Sequence, residues 1–140
     1  MLPRWLKDLR FWLFYAFVTR RHPGLTTLGE GCTWTVLARE LGPRSRVLCG
    51  GAGNDISFEE ELISKFHCEL VLADPSPTGV ATVARSVATE LGHRFIPVAL
   101  ADYDGQMSFS PPSNPEEGSF RGACVSAADA ILFPCKSVTR

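Results

Sequence analysis

The residues best placed to do chemistry are the run Arg46-Val-Leu-Cys-Gly-Gly-Ala-Gly-Asn-Asp-Ile-Ser57 and the acid Asp74. A short apolar stretch stops at glycines and a helix start follows at once. Asp74 closes the next apolar stretch, 23 residues beyond Gly51. This is the layout of a nucleotide-type cofactor site at the edge of a parallel sheet. A strand delivers the chain, glycines let the backbone approach the ligand, and an acid takes a ribose diol. A dinucleotide calls for a third glycine at position 56, so that helix and strand can close around a pyrophosphate; this chain has Ile56 there. S-Adenosylmethionine has no pyrophosphate. It asks for backbone approach at Gly51 and Gly53, polar capture of its amino-acid end, and a carboxylate for its ribose hydroxyls. Asp74 suits that last task, since a carboxylate accepts two hydrogen bonds; its other reading is the turn acid before Pro75. Asp55 reads equally as a ligand contact or a helix cap.

Those residues need strands and helices to hold them. Val47–Cys49 reads as a short strand. Ser57 opens a helix with a capping box to Glu60, acids in its first turn, Lys65 in its last, and Phe58, Leu62, Ile63 and Phe66 as the buried stripe. Glu69–Ala73 is a second strand. Thr78–Leu91 is a second helix, with Val80, Val83, Val87 and Leu91 inward and Gly92 closing it. Phe95–Leu100 is a third strand. Apolar strands alternating with amphipathic helices predict a parallel sheet covered on both faces. Upstream, Thr33–Leu41 reads as a helix stopped by Gly42-Pro43. Downstream, Asp104-Gly105 reads as a hairpin turn into Gln106–Ser110, residues 111–122 as loop, and Ala130–Phe133 as one more apolar run before a basic tail.

The chain has 140 residues, 45% hydrophobic and 21% charged, with a net charge of -1. That is one modest α/β domain. The charge balance argues against nucleic acid as partner, because phosphate recognition uses a basic face. Five scattered cysteines without Cys-x-x-Cys spacing predict reduced thiols in a cytoplasmic protein. No His/Cys metal spacing occurs, and no histidine has a partner in sequence that would mark it as a general base. Residues 1–24 stand apart from residues 25–140. They carry Arg4, Lys7, Arg10, Arg20 and Arg21 against Asp8 alone, around the run from Phe11 to Val18. That run is too short to span a bilayer, which takes roughly 20 apolar residues. It predicts a helix packed on the domain or on a second subunit, or one lying on a membrane surface.

The stretch Val47–Ile63, with its Gly-x-Gly-x-Asp-Ile-Ser-Phe run, resembles the first motif of the FkbM-type methyltransferases. The similarity continues through Phe66-His-Cys-Glu69, Asp74-Pro-Ser-Pro77, Pro97–Asp102, Asp104-Gly105 and Phe109–Pro115, and Gly31 and Trp34 match a Gly…Trp pair of that branch. The resemblance covers roughly residues 28–140. It implies a Rossmann-like class I methyltransferase fold using S-adenosylmethionine, with methyl transfer to an oxygen. By position, Gly51, Gly53 and Asp55 would form the cofactor loop and Asp74 would hold the ribose. Asp102, otherwise a solvated turn acid, would lie near the adenine. Cys49 stands near the strand end where many methyltransferases place an acid. The family's next strand falls beyond Arg140, so the expectation is a domain truncated after about three strand–helix units and a hairpin, with little turnover alone. The alternative is a non-enzymatic, membrane-associated or interaction module. A dinucleotide oxidoreductase is a third reading, which Ile56 disfavours.

Overall fold

A computed structural model describes residues 9, 12–17, 22–86, 93–114, 120–122 and 130–138. Its centre is a three-stranded parallel sheet in the order β3 (Arg46–Gly50), β4 (Glu69–Ala73), β5 (Arg94–Ile96). Helix α2 (Ser57–Phe66) joins β3 to β4, and α3 (Pro77–Arg85) begins the connection to β5. The chain is therefore an α/β protein built on a parallel sheet. Strand order follows chain order, and parallel crossovers are right-handed, so both helices fall on one face. Leu62 and Ile63 of α2 and Val83 of α3 join Leu70 and Leu72 of β4 in a single core with Leu28, Ala52, Ile56 and Cys68. Paired positions Val47–Leu70 and Cys49–Leu72 line that face. On the opposite face Leu48 of β3 is 51% exposed, while its neighbour Val71 on β4 is half-buried.

Four expectations change. Thr33–Leu41 is not a helix. Trp34–Leu37 is strand β2, antiparallel to β1 (Leu25–Leu28), and a single 3-10 turn, Ala38–Glu40, follows. β-Branched Thr35 and Val36 suit a strand, and the Thr27 and Thr35 hydroxyls meet across the ribbon at 3.1 Å. Phe95–Leu100 is not one strand. The chain leaves the central sheet at Pro97, which has no N–H for a ladder, and restarts as β6 (Ala99–Ala101). Asp104-Gly105 does not fold β7 (Gly105–Ser110) back onto β6. The outer sheet runs β6-β9-β7-β8, where β8 is Arg121–Gly122 and β9 is Ile131–Ser137. β9 thus inserts between them, parallel to β6 and antiparallel to β7. The basic end is part of this sheet: Asp104 accepts the Ser137 N–H at 2.8 Å and pairs with Lys136 at 3.6 Å.

In α3, Val83 is buried but Val80 is 40% exposed, and the helix ends at Arg85, with Ser86 in extended backbone. The expected continuation to Leu91 and its Gly92 stop lie outside the described residues, as does the middle of the 111–122 loop. Cys32, Cys49, Cys68 and Cys135 form no disulfide. Residues 12–17 are helical (α1), and Tyr15 hydrogen-bonds Thr27 on β1. Trp12, Leu13, Phe14 and Phe17 of this helix are exposed in the single chain. Among the described residues no helix is long and apolar enough to cross a membrane.

Candidate functional site

At the carboxyl end of β3 and β4 the chain opens a cleft of about 600 Å³. Its floor is the turn Gly50-Gly51-Ala52-Gly53, its rim is Asn54 and Asp55, and its sides are Phe58 and Glu59 of α2 and Asp74-Pro75-Ser76. Leu100 of β6, Phe109 of β7, Phe120 and Trp34 of β2 close it. An aromatic stack braces that far wall: Phe109 and Phe120 each lie 5.6 Å from the ring of Phe133.

The glycine turn has the shape the sequence implied. Gly51 (φ 89°) and Gly53 (φ 54°) take left-handed backbone, which side chains disfavour. A Cβ at either position would meet nothing within 4 Å, so this side of the loop is open to a ligand.

Asp74 is 5% exposed and holds the turn together. Its Oδ2 accepts the Ala52 N–H at 2.7 Å and the Gly53 N–H at 3.1 Å, and its Oδ1 accepts the Ser76 N–H at 2.7 Å. Three of its roughly four acceptor positions are thus engaged by backbone. One acceptor position on Oδ1 is left over. Ser76 in turn caps α3, accepting the Gly79 N–H at 3.0 Å, with Pro77 at the first helical position.

Asp55 serves as a brace. Oδ1 accepts the Ser57 N–H at 2.9 Å and Oδ2 the Cys32 N–H at 2.6 Å. Its carboxyl is held below the ordinary value, first by the Ser57 N–H and then by the Cys32 N–H, with burial opposing. The capping box expected at Ser57 does not form. Asp55 takes the amide at the helix start, while the Ser57 hydroxyl accepts the Glu30 N–H at 2.8 Å. Glu61 adds a third tie, accepting the Gly29 N–H at 2.7 Å. These bonds fasten the β1–β2 loop to α2 and fix Trp34 at the cleft. Gly31 is needed there, since a Cβ would come within 2.5 Å of Asp55 Oδ2.

The cleft therefore gathers Gly51, Gly53, Asp55 and Asp74. Asp102 is exposed after β6 and is not among the lining residues, although Leu100 is. Sequence reasoning missed Glu59, which is 8% exposed and lines the cleft. The signal was present: Glu59 shares helical spacing with Leu62, Ile63 and Phe66, the stripe that faces the sheet. Burial first, then the charges of Asp55 and Glu60, pushes the Glu59 carboxyl up, against the hydrogen bond from Cys49. Burial, then the neighbouring Glu59, carries the Cys49 thiol up to about 12, so it remains a thiol. Among the described residues no cluster of His, Cys, Asp and Glu could hold a metal ion.

Fold and cleft together define an α/β protein with a ligand-sized opening at the carboxyl end of a parallel sheet. No family model, curated protein or solved structure matches the chain.

Proposed function

We propose that the cleft binds S-adenosylmethionine and that the chain is a Rossmann-like methyltransferase domain acting on an oxygen acceptor. The observation that carries this reading is the sign of the cleft. Asp55, Glu59 and Asp74 line it, and none of its described lining residues is lysine or arginine. A pyrophosphate would meet acidic side chains and no cationic one there, whereas a sulfonium and an ammonium meet the charge they need. The open glycine turn supplies close backbone approach, and the resemblance of residues 47–63 to the FkbM-type motif points the same way. S-Adenosylmethionine brings its own activated methyl group. The protein's share is to align the two reactants, an effect worth up to roughly 7–11 kcal/mol, so no general base is demanded of the histidines. Calorimetry of the chain with S-adenosylmethionine and with NAD tests this. Heat and a raised Tm with the first and neither with the second are expected. No response to millimolar S-adenosylmethionine overturns it.

One observation favours a second role for residues 1–24. Trp12 is 63% and Phe14 66% exposed on α1, in a segment whose sequence carries five basic residues and one acid. Exposed aromatics beside basic charge suit the surface of an anionic bilayer. The full chain is expected to co-sediment with vesicles containing phosphatidylserine, and a version starting at Leu25 to stay in the supernatant. Equal soluble fractions remove this role.

A further inference from the structure

Glu59 is an anomaly in the cleft. It is an acid on the buried stripe of α2, beside an aliphatic core, and the described lining has no cation to balance it. The neighbouring titratable groups that act on it are the Cys49 thiol on β3, Asp55 before the helix, and Glu60 on the same helix. None of these is positive. A carboxyl so placed keeps a proton or takes a cation.

We infer that Glu59 is the cation-binding acid of this cleft and that its carboxylate takes a cationic group of the ligand. The inference rests on the cofactor reading above and adds to it the residue that distinguishes a charged ligand from a neutral nucleoside. Asp55 and Asp74 do not fill that role, because backbone N–H groups already engage both oxygens of each. Burial pushes the Glu59 carboxyl up, so the folded chain binds a proton there more readily than the unfolded chain, and stability falls as pH rises through that window.

The test compares two ligands and one variant. Wild-type protein is titrated with S-adenosylmethionine and with 5′-methylthioadenosine, which keeps the nucleoside but lacks both the sulfonium and the ammonium. Glu59→Gln is expected to weaken S-adenosylmethionine about tenfold or more, the usual weight of a lost buried charge contact. It should leave 5′-methylthioadenosine unchanged. Wild type should also bind S-adenosylmethionine more tightly than 5′-methylthioadenosine. If wild type binds S-adenosylmethionine, equal affinity of Glu59→Gln for it overturns this inference and leaves the cofactor reading standing. If wild type binds neither ligand, both fall together. Should Glu59→Gln lose both ligands through misfolding, wild type decides alone: S-adenosylmethionine bound no more tightly than 5′-methylthioadenosine overturns the inference.

Discussion

Asp74→Ala is expected to destabilise the fold by about 3 kcal/mol, because three backbone N–H groups lose one charged acceptor at once and each such loss costs roughly 1–3 kcal/mol. The amides of Ala52, Gly53 and Ser76 sit in a turn whose two glycines have little conformational preference of their own. The Gly51 N–H to Ala73 carbonyl bond at 2.8 Å also joins these two chain segments, but it engages none of the three amides that Asp74 holds. Against a typical total of about 5–15 kcal/mol for a small domain, the loss shows plainly in urea unfolding. Asp74→Asn should fall between, since its carbonyl can serve Ala52 and Gly53 while its amide group faces the Ser76 N–H. The pair also separates the two readings of this acid. A loss of S-adenosylmethionine affinity with wild-type stability would make Asp74 a ligand contact first. A loss of both makes it the brace that shapes the ligand loop, which is the role its three hydrogen bonds describe.

What could be read from the sequence depended on how far each decision reaches along the chain. The strand at 46–50, the glycine turn and the helix from Ser57 were legible because period, glycine and helix start all lie within twenty residues and agree. The capping box failed on a longer-range contact: the Ser57 hydroxyl is taken by the Glu30 amide, 27 residues upstream, and Asp55 fills the place left at the helix start. Thr33–Leu41 failed for the same reason. Val36, Leu37 and Leu41 satisfy a helical period, and only the pairing with Leu25–Leu28 makes residues 34–37 a strand. β9 could not be placed between β6 and β7 from local pattern, since Cys135 pairs with both Ala99 and Gly105. Pro97 is a different case: a proline inside an apparent central strand already argued for a break there. Glu59 was masked by a correct rule. An acid in a first turn suits the helix dipole, and that sufficient reason hid its place on the stripe facing Cys49.

Gly79→Ala should reverse the sign usual for its kind. In an ordinary helix this change stabilises by about 0.8–1 kcal/mol. Here a Cβ at residue 79 would lie 2.3 Å from Asp74 Cγ and 2.4 Å from Oδ2, and the carboxylate cannot swing aside without releasing the amides it holds. Either α3 shifts or the Asp74 network stretches, and overpacking of this kind costs about 1–3 kcal/mol. The obstacle is the carboxyl group itself, so removing it removes the penalty. In an Asp74→Ala background Gly79→Ala is expected to be neutral or mildly stabilising. The double-mutant cycle, measured by urea unfolding, should then show a coupling of about 2 kcal/mol, within the range for residues in direct contact. Equal costs in the two backgrounds would mean that α3 does not lean on Asp74. The expected coupling ties the start of α3 to the glycine turn through one side chain. It also explains why the chain has glycine at residue 79, one turn into a helix, where helix formation alone favours almost any other residue.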